Sequence, residues 1–228
     1  MNVKAGFQSA RQQVRFIREA WRIQRRHRMQ TLETVMELKR KYEAPLTGHV
    51  RVWDLLARMA AVMDPSDTSL YGVNQQTHVL QVLEAMERDG VGEHDMLVAA
   101  LVHDIGKLLL LEREEPENVT CMNAPIGEYS RGAGLDNCVL QWNHDEFAYS
   151  RLNGNVPDHI AWLIRYHSID VDRCEPLMDE RDREYATRYL RPFQKYDQGS
   201  KSAFRLPTKT LTDYRELIET LFPKPILY

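Results

Sequence analysis

Residues 101–107 read LVHDIGK, which sets His103, Asp104 and Lys107 in the most hydrophobic stretch of the chain. Three titratable groups are costly to bury there unless each finds a partner. A metal ion is the partner that suits an adjacent imidazole and carboxylate. Three more histidines lie in segments that also carry apolar residues at helical spacing: His78 in NQQTHVL, His144 in QWNHDEF and His167 in IRYHSID. A single histidine on an apolar face is ordinarily a hydrogen-bonded core residue, but four of them reverse that reading. Each offers one ring nitrogen to a metal, while the other needs an acceptor that fixes the tautomer. Asn143 and Asp145 flank His144 and are candidates for such supporting roles. Asp104 can bridge two metals, and Asp197 in FQKYDQGSK is the candidate second carboxylate. Four nitrogens and two carboxylates, with no thiolate, suit iron or manganese and, less exclusively, zinc. Six protein ligands are too many for one catalytic ion with open positions, and they fit two ions sharing Asp104. His27, His49, His94 and His159 sit in polar contexts and read as surface residues.

The elements that must position these groups are helical. Apolar spacing predicts helices over 29–41, 49–63, 74–89 (stopped at Gly90), 136–152, 157–168, 180–197 and 210–222. The almost continuously apolar 94–111 predicts one buried central helix. Gly106 inside it implies a close contact with a neighbouring element, since glycine there costs about 1 kcal/mol relative to alanine. Residues 112–135 hold two prolines and three glycines and read as a loop with a short strand at most. The fold class is all-α, a single helical bundle around a dinuclear metal site. Residues 1–24 form a basic arm or helix packed on a body of residues 25–228. The basic run 11–29 is expected to pack through Val14, Phe16, Ile17, Trp21 and Ile23.

The 228 residues suffice for one substantial core, and a net charge of -3 argues against nucleic-acid or membrane-surface partners. No apolar stretch approaches a membrane span, and no signal-peptide pattern appears near Met1. Three dispersed cysteines (Cys121, Cys138, Cys174) without C-x-x-C argue against a disulfide framework and for a cytoplasmic location.

Dispersed H…HD…D ligands resemble the HD-domain superfamily of metal-dependent enzymes. DPSD (64–67), His78, LVHDIGK, GLDNCVLQWNHDEFAY (134–149), IRYHSI (164–169) and KYDQGSK (195–201) come in the order found in the myo-inositol oxygenase family. The resemblance spans roughly residues 25–225. It implies a mixed-valent Fe(II)/Fe(III) pair, with O2 as co-substrate, that oxidises a small polyol to D-glucuronate or a related product. It implies that His78, His103 and Asp197 hold one iron, that His144 and His167 hold the other, and that Asp104 bridges them. Lys107 matches a catalytic, substrate-contacting lysine of that family. Lys201, Ser168, Asp64 and Ser66 match further substrate contacts. A monomer is expected.

The chain departs from the family around 112–135, which is shorter than in the animal enzymes. Cys121 and Met122 occupy the place of a substrate-contacting Gly-Asp pair, and the N-terminal arm has no clear match to a substrate-contacting arginine. The runner-up function is an HD-type phosphohydrolase, told apart by phosphate release instead of O2 consumption. A non-catalytic module is the third reading, and the intact ligand set speaks against it.

Overall fold

A computed structural model describes residues 10–228 of the chain. Among them the fold is all-α, with a single two-stranded ribbon. Helix α1 (Ala10–His27) buries Ala20, Ile23 and His27 on one line, and Phe16 packs edge-on against Tyr71 with centroids 4.7 Å apart. Val14, Ile17 and Trp21 do not pack as expected, and Trp21 remains 69% exposed. They lie on a flank of the helix that the body does not cover, because the buried line follows positions 16, 20, 23 and 27. Residues 1–9 of the expected arm lie outside the described residues.

Helix α2 (Leu32–Lys41) starts where the Thr31 hydroxyl accepts from the Thr34 amide, and it buries Val35 and Leu38. The helix expected over 49–63 opens instead as a strand, β1 (His49–Val50), before α3 (Val52–Arg58) and a short 3-10 turn. Helix α4 (Gln75–Arg88) is capped by Asn74 and ends before Gly90, whose φ of 73° suits glycine.

The long central helix is interrupted. Helix α5 (His94–Val102) ends at His103, Asp104 leaves helical space, and a 3-10 turn covers Ile105–Leu110. Gly106 is the reason this turn can nest where it does. A Cβ there would lie 2.1 Å from the His144 carbonyl oxygen, so the close contact implied by the sequence is with the start of α6 (His144–Leu152). That helix begins eight residues later than the pattern suggested. Residues 138–143 are held extended by a bridge between Pro125 and Leu140, and the Asn143 side chain accepts from the Asp145 amide at 2.8 Å.

Helix α7 (Asp158–Tyr166) follows Pro157, and α8 (Val171–Cys174) is a short helix the sequence pattern did not reveal. The stretch 180–200 is α9 (Glu180–Tyr185), a π turn (Ala186–Leu190) and α10 (Arg191–Ser200). Pro192, which has no N–H to give, sits where the hydrogen-bond ladder shifts. After α11 (Arg215–Leu221), β2 (Ile226–Leu227) pairs antiparallel with β1. The core between α4, α5, α7 and α10 is built from residues such as Val79, Leu83, Ala99, Leu163 and Phe193, all fully buried. Among the described residues no helix is long and apolar enough to cross a membrane.

Candidate metal centre

Four helices deliver the histidines to one point. His78 comes from the first turn of α4, His103 closes α5, His144 opens α6 and His167 closes α7. All four are at most 2% exposed, as is Asp104 between them. Two triplets have ligand atoms within 4.8 Å of one another, His78–His103–Asp104 and Asp104–His144–His167, with Asp104 common to both. Asp197 joins the first, its Oδ1 2.9 Å from His78 Nε2 and 3.7 Å from His103 Nε2. All six residues singled out as metal ligands therefore come together.

Hydrogen bonding sets the direction of three rings. His103 Nδ1 donates to the Ala100 carbonyl (3.1 Å), His167 Nδ1 to the Ile164 carbonyl (2.9 Å) and His144 Nδ1 to the Val119 carbonyl. A carbonyl can only accept, so each Nδ1 carries the proton and each Nε2 presents a lone pair inward. Those lone pairs face carboxylate oxygens: His103 Nε2 is 3.4 Å from Asp104 Oδ2, and His144 and His167 Nε2 are 3.1 and 3.6 Å from Asp104 Oδ1. Lone pair against carboxylate is repulsive unless positive charge lies between. His103 Nε2 and His144 Nε2 are buried without a hydrogen-bond partner, as ligand atoms are when their metal is removed. The donor set, nitrogen and carboxylate with no sulfur, suits two metal ions of the iron or manganese kind.

The electrostatics agree. Burial pushes the Asp104 carboxyl up, yet Lys107 and His103 hold it well below the ordinary carboxylate range. Asp197 behaves alike, with Lys201 and His78 outweighing burial. Burial lowers His144, but Asp145 and Asp104 more than offset it and raise the ring to about 9. The centre attracts positive charge, and protons compete with metal for it. Asp145 does not hold His144 from behind, since Val119 occupies Nδ1; it faces the inward Nε2 of that ring instead. Its Oδ2 accepts from the Ser168 hydroxyl (2.8 Å) and amide (3.2 Å), and its Oδ1 lies 3.0 Å from His144 Nε2.

The centre opens on a cavity of about 270 Å³ whose wall includes Asp104, His144, His167 and Asp197, but neither His78 nor His103. Every residue matched to a substrate contact lines it. Lys107 does not snorkel to solvent: its ammonium is buried and lies 3.0 Å from both Asp104 and Asp64 and 3.2 Å from Gln75 Oε1. Those carboxylates keep it charged despite burial. Asp64 divides its oxygens, Oδ1 accepting from the Ser66 amide (2.8 Å) in a turn and Oδ2 facing Lys107. The Ser66 hydroxyl meets Asp64 Oδ1 at 2.9 Å and the Thr120 carbonyl at 3.1 Å. Lys201 reaches Asp67 at 2.9 Å and Asp197 at 3.9 Å.

Of the wall residues that were not anticipated, two stand out. Asp67, the second acid of DPSD, holds Lys201, and that pairing is invisible along the chain. His27 is not on the surface as expected but 1% exposed. Its neighbours Arg25, Arg26, Arg28 and Met29 are exposed while His27 continues the buried line of Ala20 and Ile23, so local polarity misleads there. His159, by contrast, is part-buried against Asp95 at 2.6 Å. Cys121 and Met122 also line the cavity. Burial pushes the Cys121 thiol up to about 12, so it stays protonated.

A family model described as myo-inositol oxygenase matches residues 16–120 and 112–228. The chain belongs to the myo-inositol oxygenase family. Inositol oxygenase 2 of Arabidopsis thaliana is 30% identical over 91% of this chain and 77% of its own length. The probable inositol oxygenase of Oryza sativa subsp. japonica is 28% identical over 86% and 76%, and the inositol oxygenase of Dictyostelium discoideum 25% over 88% and 82%. As a member of the myo-inositol oxygenase family the chain is an enzyme, an oxygenase.

Proposed function

We propose that the chain uses a pair of iron ions and O2 to oxidise a cyclic polyol, with myo-inositol the leading substrate and D-glucuronate its ring-opened product. The reading rests above all on two buried donor triplets that share Asp104 and face a polar cavity. The names of the relatives point to the same substrate. Bound there, iron would supply Lewis acidity to a coordinated alcohol and redox chemistry with O2. Inositol and one O2 contain the atoms of glucuronic acid and one water, so the four electrons all come from the polyol and no external reductant enters.

The remaining steps belong to the protein. His78, His103 and Asp197 would hold one ion, His144 and His167 the other, and Asp104 both. Lys107, kept cationic by Asp104 and Asp64, would donate to the alcohol oxygen and favour its alkoxide. Asp64, Ser66, Ser168 and Lys201 would orient the other hydroxyls. A substrate that fills the cavity also excludes water from the reacting carbon. The reading takes the chain as a cytoplasmic monomer acting on a small molecule, and every donor comes from one chain.

The test is stoichiometry. After anaerobic loading, two irons per chain and one O2 consumed per inositol lost are expected. A single iron per chain removes the basis of the reading, and phosphate release from phosphate esters without O2 uptake replaces it with a hydrolase.

A further inference from the structure

Three oxygens surround the Lys107 ammonium: Asp104 Oδ2 and Asp64 Oδ2, each at 3.0 Å, and Gln75 Oε1 at 3.2 Å. An ammonium has three protons and no lone pair, so protons and acceptors are equal in number. The three acceptors are not alike. Asp104 and Asp64 line the cavity beside Lys107, and Gln75 does not. The amide is also the only one of the three that carries no charge. It therefore holds the nitrogen from the side away from the substrate, while the two carboxylates hold it from the cavity side.

Gln75 is itself firmly placed. It opens α4 directly after the Asn74 cap, one turn ahead of His78, and is fully buried. Its backbone amide donates to the Val62 carbonyl at 2.9 Å. Lysine can only donate, so the side-chain atom that faces it is the oxygen. The amide nitrogen then points elsewhere, buried and without a hydrogen-bond partner. An unmatched buried donor is costly, and native proteins keep few of them without a reason. A leucine of similar size would avoid that cost. What it would not supply is the oxygen behind Lys107.

We propose that Gln75 is a positioning residue: its Oε1 anchors the Lys107 ammonium from behind the cavity, so that a proton on the cavity side meets the alcohol oxygen of the substrate. The proposal rests on the polyol reading above and on the role given there to Lys107. It adds a residue that touches neither substrate nor metal. Asp104 changes its surroundings when iron binds and Asp64 when a polyol enters, whereas the pull of the amide stays the same throughout.

The test is O2 uptake by the iron-loaded full chain with myo-inositol, beside iron content and anaerobic calorimetric affinity. Gln75→Leu removes the acceptor together with the unmatched nitrogen, so the fold gives up little. It is expected to lose about thirtyfold in kcat, within the hundredfold or so that misplacing a reacting group by about an ångström costs. KM and inositol affinity should stay within about threefold of wild type, since no contact with the substrate is removed, and two irons should be retained. Gln75→Glu keeps an oxygen facing Lys107 and forfeits no bond at the other atom. It is expected to bring kcat back to within about threefold of wild type. In a Lys107→Met background, Gln75→Leu should have no further effect, because its action passes through the missing ammonium. Unchanged kcat in Gln75→Leu, a loss that persists in full in the Lys107→Met background, or no recovery with glutamate overturns the proposal and leaves the polyol reading intact. A wild type that holds two irons yet takes up no O2 with inositol overturns both.

Discussion

At the scale of single residues, Lys107 is the most exacting position in the cavity. Its ammonium answers two buried carboxylates at 3.0 Å, and removing one partner of such a group costs far more than a surface pair does. With iron bound, Asp104 has other positive charge to answer it, while Asp64 loses its only cation. We therefore expect Lys107→Met to retain two irons per chain and to lose at least about a hundredfold in kcat, in the range seen when a positioned proton donor is removed. Unchanged turnover at full iron content would refute the role. The six candidate ligand residues were legible in the sequence because four histidines in apolar helical segments, with Asp104 among them, reverse the reading that any one alone would receive. His27 was not, since its neighbours along the chain are arginines and its burial depends on where α1 docks. The pairing of Asp67 with Lys201 joins residues 134 apart, a distance that no periodicity reports.

At the scale of elements, helical spacing located most helices, and two of its errors fall at the centre. At two of the candidate ligands, Asp104 and His144, regular structure stops or has not yet begun. Helix α5 gives way at His103–Asp104, and α6 cannot begin before His144 because the preceding residues are held against Pro125. An apolar run looks the same whether it is one helix or a helix and a 3-10 turn, so the pattern could not show the break. Gly106 joins the two elements. A methyl at that position would collide with the His144 backbone, and backbone does not yield as a flexible side chain would. Gly106→Ala is expected to lower stability by about 2–3 kcal/mol, at the upper end for an overpacked site, and to reduce iron content with it. Denaturant unfolding of the metal-free chain, paired with metal analysis of the loaded one, checks both effects.

At the scale of the whole molecule, charge pairs away from the cavity add to the acid tolerance that Asp104 and Asp197 confer. Arg165 bonds Glu146 at 2.7 Å and Asp136 at 2.8 Å, bracketing α6 and α7. Burial raises both carboxyls, but Arg165 on Glu146, and Arg181, Tyr166 and Arg165 on Asp136, bring them below their ordinary values. A carboxylate with a depressed folded pKa stabilises the fold above its unfolded pKa of about 4 and loses that contribution as pH falls through the folded value. His27 adds a term of the same sign at higher pH. Its burial-lowered pKa favours the fold above about 6.5 and less as acid protonates the unfolded chain first. Unfolding free energy should therefore decline in two stages on acidification. Arg165→Met should reduce the lower stage and leave the upper one unchanged, as urea titrations between pH 7 and 3.5 would show.

The cavity wall touches His144, His167, Asp104 and Asp197 but reaches neither His78 nor His103. The two halves of the centre therefore differ in lability. A chelator arriving from solvent meets both histidines of the His144–His167 half, while of the other half it meets Asp197 and the shared Asp104 but neither histidine. Metal release should then be biphasic, one ion per chain leaving fast and the other slowly. Bound polyol should slow the first phase by occupying the only approach the cavity gives it. Release in a single phase, indifferent to polyol, would mean that the two positions are equally reachable by some route other than this cavity.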